Sequence, residues 1–248
     1  LNSVLRQELK AVAKDYRNPR RTEIQNEIED LKIKTTVTVA DEDVVVLVSH
    51  DGYLKRSGVR SYTASDPTDN GLKDGDYPIF MQKLSTLNHL MMFTSKGNLI
   101  YRPVHEISDV KWKETGEHIS QTIGLAADEE IVDTFAFKTL KEPGRFLIAT
   151  SDGYIKQTAF ADLTPGRTYK SRAAVYEKLK TAEARVVAVK YLTEPVEQGI
   201  LLISKNGYAL RYPVDEVSVN GARTTGVRSM DLRDDDEVVN LALVTDNE

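Results

Sequence analysis

The residues with chemical potential in this 248-residue chain are cations that recur at short distances beyond glycine. Lys55 and Arg56 follow Gly52, Arg102 follows Gly97, Lys156 follows Gly153 and Arg211 follows Gly207. Ammonium and guanidinium groups in such a series are donors to anionic oxygens, guanidinium often in a bidentate way. The types needed for covalent catalysis are missing or scattered. There is no cysteine, and His50, His89, His105 and His118 fall in no HExxH or similar ligand spacing. No GxxxxGK[ST], GxGxxG or GxSxG stretch occurs. The many carboxylates lie at turns before strands and read as solvated acids. Tyr53, Tyr154 and Tyr208 share one repeat position, which reads as packing. Trp112, between Lys111 and Lys113, reads as a core tryptophan. Neither a metal nor a cofactor is expected.

A net charge of −5 argues against a polyanion as partner, but the charge is segregated. Leu163 to Tyr191 holds seven basic residues against two acidic, whereas Asp231 to Glu248 holds one against seven. The asymmetry permits a local positive field without requiring one.

The elements that carry the cations repeat. Val44–Arg56, Leu90–Arg102, Phe146–Gln157 and Ile200–Arg211 each give an apolar run, a polar–glycine pair and a second strand. Asp51-Gly52, Lys96-Gly97, Asp152-Gly153 and Asn206-Gly207 occupy the bends, where a tight hairpin needs positive φ. The glycines are spaced 45, 56 and 54 residues apart, the size of a propeller blade. Pro103 and Pro213, each six residues past a glycine, end their strands because proline offers no N–H to the ladder. A second recurring element precedes each new hairpin: an acidic turn and an apolar strand, at Asp128–Phe137, Glu183–Val189 and Asp235–Leu243. Glu129 to Gly153 and Glu183 to Gly207 both span 24 residues, so Asp236 predicts a glycine at position 260, past residue 248. Either the chain stops within a repeat, or its last strand pairs with the first blade and closes the ring.

Ahead of the repeats, Leu1, Val4, Leu5, Leu9 and Val12 share a helical face. Asn18-Pro19 reads as a helix start, and Ile24, Ile28 and Leu31 form a second stripe. The expected organisation is a helical segment over 1–31 and an all-β propeller over 32–248, with about four to six blades. No run approaches the roughly 20 apolar residues of a membrane helix, and no signal segment opens the chain, which fits a cytoplasmic protein.

The hairpin repeat SxxGYxKR with its following acid–Val–Val strands resembles the C-terminal β-pinwheel of DNA gyrase and topoisomerase IV A subunits. Asp15-Tyr16-Arg17-Asn18-Pro19-Arg20-Arg21-Thr22-Glu23-Ile24 is similar to that family's exit from the breakage-reunion core. The gyrase glutamine-arginine-arginine-glycine-glycine box is absent from Ser57–Thr68, and Arg223–Ser229 is only a degenerate echo of it. The resemblance is therefore to the topoisomerase IV member of the family. It implies a domain without catalytic residues that binds and bends double-stranded DNA for ATP-dependent strand passage. The implied partners are the breakage-reunion core that precedes such a domain and the ATPase B subunit, at the nucleoid in the cytoplasm. Phosphate contacts are then expected from Lys55, Arg56, Arg60, Arg102, Lys156, Arg167, Lys170, Arg172, Arg211, Arg223 and Arg228. Competing readings are a protein-interaction propeller without DNA affinity, a gyrase-type wrapping domain, and a propeller enzyme with a site in its central channel.

Overall fold

The computed structural model describes residues 1–22, 39–193, 198–233 and 235–245. The chain divides into two compact units, Leu1–Thr38 and Val39–Glu248. In the first, α1 (Asn2–Tyr16) buries none of its residues; Leu1, Val4, Leu5, Leu9 and Val12 are all exposed. Helix α1 gives way to extended backbone at Arg17, and no helix begins at Asn18 within the described residues. The second predicted stripe, Ile24 to Leu31, lies outside the described residues. No described helix is long and apolar enough to cross a membrane.

The second unit is all-β and built from four antiparallel sheets. In chain order, repeat 1 comprises β1 (Asp43–Ser49), β2 (Tyr53–Gly58), the short helix α2 (Val59–Thr63) and β3 (Pro78–Ser85). Repeat 2 runs β4 (His89–Thr94), β5 (Asn98–Pro103), β6 (Glu117–His118) and β7 (Ile131–Phe137). Repeat 3 runs β8 (Arg145–Thr150), β9 (Tyr154–Ala159), β10 (Ala174–Val175) and β11 (Val186–Leu192). Repeat 4 runs β12 (Gly199–Ser204), β13 (Ala209–Pro213), β14 (Val227–Arg228) and β15 (Val238–Val244).

Each hairpin forms where predicted. Gly52, Gly97, Gly153 and Gly207 all have φ between 82° and 96°. At each bend the hydroxyl three residues before the glycine accepts the backbone N–H one residue past it. Ser49 accepts from Tyr53 (3.0 Å), Thr94 from Asn98 (3.0 Å), Thr150 from Tyr154 (3.2 Å) and Ser204 from Tyr208 (3.2 Å). This Ser/Thr–glycine pair fixes the turn by purely local chemistry.

The sheets do not coincide with the repeats. The long third strand joins its own hairpin, but the two-residue strand crosses to the preceding one. The strand orders are β3-β1-β2-β6, β7-β4-β5-β10, β11-β8-β9-β14 and β15-β12-β13. Thus β6, β10 and β14 are lent outward, and the fourth sheet has three strands. Strand β15 pairs with β12 and completes its own blade, so the alternative of pairing with the first blade is not what forms.

Long strands β3, β7, β11 and β15 touch in series along the inner side. Backbone bonds stitch successive blades there: Ile131 donates to the His50 carbonyl (3.0 Å), Val186 to Ser95 (2.8 Å) and Val238 to Ser151 (2.8 Å). Both faces of β1, β4 and β8 are buried, which explains unbroken apolar runs where alternation would mark one wet face; β12 alternates between buried and half-buried residues. Val46 and Val48 pack toward blade 2, while Val45 and Leu47 pack on Trp112. Met91 and Phe93 meet Phe146 and Ile148; Leu147 and Ala149 meet Ile200 and Leu202. Trp112 is fully buried, as expected of a core tryptophan in spite of its flanking lysines, with Nε1 donating to the Pro67 carbonyl at 3.3 Å.

Candidate nucleic-acid interface

The rim loops, each between a hairpin and its lent strand in repeats 2 to 4, carry the exposed cations Lys111, Lys113, Arg167, Lys170, Arg172 and Arg223. Folding sorts the eleven predicted phosphate ligands into three groups. Lys55 and Lys156 are fully buried, and Arg102 is 6% exposed. All three point their donors into protein carbonyls, so the expectation that they contact phosphate is corrected here. A phosphate could reach them only by stripping away those acceptors.

Lys55 Nζ donates to the carbonyls of Asn70, Trp112 and Glu114, the last at 2.7 Å, and lies 4.5 Å from the Trp112 ring centroid. Burial pulls its pKa down to about 8, against the opposing pull of Glu114 and Asp69. Lys156 Nζ donates to Tyr176 (2.7 Å), Ala222 (2.8 Å) and Thr224 (2.9 Å), and sits 3.1 Å from the Glu177 carboxylate. Burial raises Glu177 to about 7 in spite of that ammonium. Arg102 donates to Tyr169 O (3.1 Å) and Thr122 Oγ1 (2.6 Å).

A second group is accessible but engaged. Arg56 is 18% exposed at its side chain, 3.9 Å from Asp109. Lys170 pairs with Glu106 at 2.8 Å. Glu106 is pushed up by burial, yet the Lys170 and Tyr169 hydrogen bonds hold it below the usual carboxylate range. Arg211 donates to the Thr245 carbonyl. Arg228 pairs with Asp231 at 3.2 Å and covers the Tyr154 ring.

The third group is exposed: Arg60 on α2, Arg167 and Arg172 in the rim loop of repeat 3, and Arg223 in that of repeat 4. Arg172 and Arg223 converge on one cleft of ≈ 510 Å³, whose wall includes Thr164, Thr168, Tyr169 and Asp162. Two loops from successive repeats are tied together at this place. Lys178 N–H donates to Thr224 O (3.2 Å), and Thr225 Oγ1 donates to Lys178 O (2.7 Å). This brings Lys178 and Lys180, both exposed, beside Arg223. None of Arg167, Arg172, Lys178, Lys180 and Arg223 forms an ion pair with a described residue. Arg60 lies apart from this arc, in repeat 1. Sequence reasoning passed over Lys178 and Lys180, although they lie in the basic stretch Leu163 to Tyr191.

Tyr53, Tyr154 and Tyr208 pack at the surface and not in the core: Tyr53 and Tyr154 are half-buried and Tyr208 is exposed. Each serves as a platform for a rim cation, respectively Lys73 (5.0 Å), Arg228 (5.8 Å) and Arg233 (5.6 Å).

Exposed guanidinium and ammonium groups brought together in this way can donate to anionic oxygens. The family model described as DNA gyrase C-terminal domain, β-propeller, matches residues 43–65, 88–138, 145–176 and 200–245. The A subunit of DNA topoisomerase 4 from Streptococcus pyogenes serotype M1 is 40% identical over 245 residues, 99% of this chain and 30% of the relative. Its namesake from Bacillus subtilis (strain 168) is 38% identical, covering 96% of this chain and 29% of the relative. The chain thus spans under a third of the length of these curated relatives. A crystal structure of the C-terminal domain of DNA topoisomerase IV superposes with a TM-score of 0.76 at 38% identity, over 84% of this chain and 63% of that one. The E. coli ParC C-terminal domain shares the fold alone, with a TM-score of 0.64 at 18% identity over 82% of this chain and 80% of that one.

Proposed function

The chain belongs to the DNA gyrase C-terminal β-propeller family, and from that premise we propose that it is a non-catalytic domain of the topoisomerase IV type that binds and bends double-stranded DNA. In this reading it presents DNA segments for ATP-dependent strand passage by its own breakage-reunion core and the ATPase B subunit, in the cytoplasm at the nucleoid. Residues 1–31 lead in from that core and 32–248 carry the DNA. The role calls for no cofactor in this chain. The observation that carries the proposal is the convergence of Arg172 and Arg223 from two successive rim loops, with Lys178 tied to the second of them, on a molecule whose net charge is negative.

Phosphate contacts from such a rim position DNA without reading its sequence. Bending a 20–30 bp site by 40–90° costs roughly 1–6 kcal/mol, which contacts spread along a curved surface can offset. The absence of the gyrase box favours bending over a full wrap.

A mobility-shift titration across salt tests the reading. Random-sequence duplex should bind with log K falling linearly in log salt, by about 0.9 per phosphate neutralised. Arg172→Ala/Arg223→Ala should lower that slope by about 2, one phosphate each. Retention indifferent to ionic strength, or none at all, would leave a protein-interaction propeller as the better reading.

A further inference from the structure

We propose that Lys55, Arg102 and Lys156 are positioning residues: each clasps the rim loop of the following repeat onto the blade that borrows its outer strand. Through those loops they set where the exposed rim cations stand, and in this respect the inference rests on the DNA-binding reading above.

Three independent sites in the molecule repeat the arrangement. Lys55 on β2 holds Trp112 and Glu114, whose loop continues into β6, the strand that pairs with β2. Lys156 on β9 holds Ala222 and Thr224, whose loop continues into β14, the strand that pairs with β9. Arg102 on β5 holds Tyr169, ahead of β10, which pairs with β5. In every case the cation belongs to the borrowing blade and at least one carbonyl to the lending repeat, while Asn70, Tyr101 and Tyr176 add a carbonyl from the cation's own repeat.

The two lysine sites match in further detail. Glycine closes both loops, Gly116 at φ +89° and Gly226 at φ +82°. A Cβ on Gly116 would stand 2.7 Å from Lys55 Cβ, and one on Gly226 would stand 2.8 Å from Lys156 Cβ. Beside each lysine a short parallel bridge joins strand and loop, Arg56 with Asp109 and Gln157 with Val219. An ammonium has three donors in a compact head, which suits several carbonyls converging from one loop. Carbonyls turned inward around a buried cation also leave the loop's outward face to its side chains: Lys111 and Lys113 in one loop, Arg223 in the other. Each loop is also anchored by buried apolar residues, Ile107 and Trp112 in one and Val217 in the other, and the clasp fixes the stretch that leads from those anchors into the lent strand.

The test separates a clasp from a phosphate ligand. Lys156→Met/Glu177→Gln removes the donors without leaving a bare buried carboxylate. By hydrogen exchange without DNA, the amides of Lys178 and Asn220 should open about tenfold faster or more, while those of β8 stay unchanged. Lys156→Arg should restore most of the protection. In the DNA titration the Met/Gln variant should bind several-fold more weakly. Unchanged loop exchange combined with a lower salt slope would make Lys156 a phosphate ligand and overturn the proposal. The exchange result stands whether or not the wild type binds duplex, so failure of the clasp and failure of DNA binding are told apart. Lysine labelled at Nζ in the wild-type chain covers the case of a variant that does not fold. The Lys55 and Lys156 signals should exchange slowly and stay in place when duplex is added, and movement of either on titration would sink the idea.

Discussion

At the scale of single residues, the pair Lys156–Glu177 makes the clearest demand on solvent conditions. Both side chains are buried, with Nζ 3.1 Å from the carboxylate, and burial lifts Glu177 to about 7. The unfolded carboxyl titrates near 4.5. Between those values the folded chain keeps a proton that the unfolded chain has released. The stability this group contributes is therefore full below about 4.5 and lost as pH rises to about 7. Glu177→Gln should flatten the fall of Tm between pH 5 and 8, with the two proteins diverging most above pH 7, by an effect on the order of a few kcal/mol. Parallel Tm curves across that range would show that the carboxylate is not desolvated as its burial indicates. The cations themselves were legible in the sequence as a recurring set, but their use was not. Position along a strand tells which way Lys55 points. It does not tell that Trp112 and Glu114, more than fifty residues away, return to cover it. The partner loop decides between a buried donor and a surface ligand.

At the scale of elements, legibility follows the range of the interaction that makes each one. The four hairpins are visible because a positive-φ glycine and a Ser/Thr three residues before it act within one turn. The long strands β7, β11 and β15 announce themselves by an acidic turn and a Val/Ile run. Strand β3 has no such run, with Gln82 and Lys83 exposed on it. The lent strands β6, β10 and β14 are two residues long, too short for any periodicity, and their partners lie 63 to 77 residues earlier. What marks them locally is the glycine just before two of them. At Gly116 a Cβ would come 2.6 Å from the Leu54 carbonyl, in a backbone region that L residues avoid. Gly116→Ala should therefore cost about 2 kcal/mol or more in denaturant unfolding, through strain and a displaced β6. Gly58→Ala is the control: its φ is −57°, no heavy atom lies within 4 Å of the added methyl, and its cost should stay within about 0.5 kcal/mol. Equal losses from the two substitutions would mean that lending the strand contributes nothing particular to stability.

At the scale of the described propeller residues, the repeats are alike in sequence and unequal in the packing they receive within this 248-residue chain. Each of the first three hairpins has a blade packed on the face that looks toward the next repeat, and each has borrowed an outer strand. Among the described residues, the fourth sheet has neither. The consequence can be read at one repeat position. Val46, Met91 and Leu147 are all buried to within 1%, whereas Leu201, which occupies the same place in β12, is only half-buried. Strand β13 alternates between exposed and half-buried residues, where β5 is buried almost throughout. Truncating a buried methionine or leucine to alanine costs about 2–5 kcal/mol, because the surrounding core cannot collapse into the space. A half-wet site loses less transfer energy and leaves no sealed cavity, so Leu201→Ala should cost about 1 kcal/mol. Met91→Ala should fall in the higher range, and urea unfolding of the two variants measures the contrast directly. The gradient bears on DNA as well, since repeat 4 supplies Arg223 from its rim loop. If the DNA-binding reading holds, Leu201→Ala should reach the salt-dependent binding through that loop, although the residue lies on β12 and not in the loop. Equal unfolding costs for Met91→Ala and Leu201→Ala would mean that repeat 4 is as well supported as repeat 2, which its uncovered strand and half-buried leucine argue against.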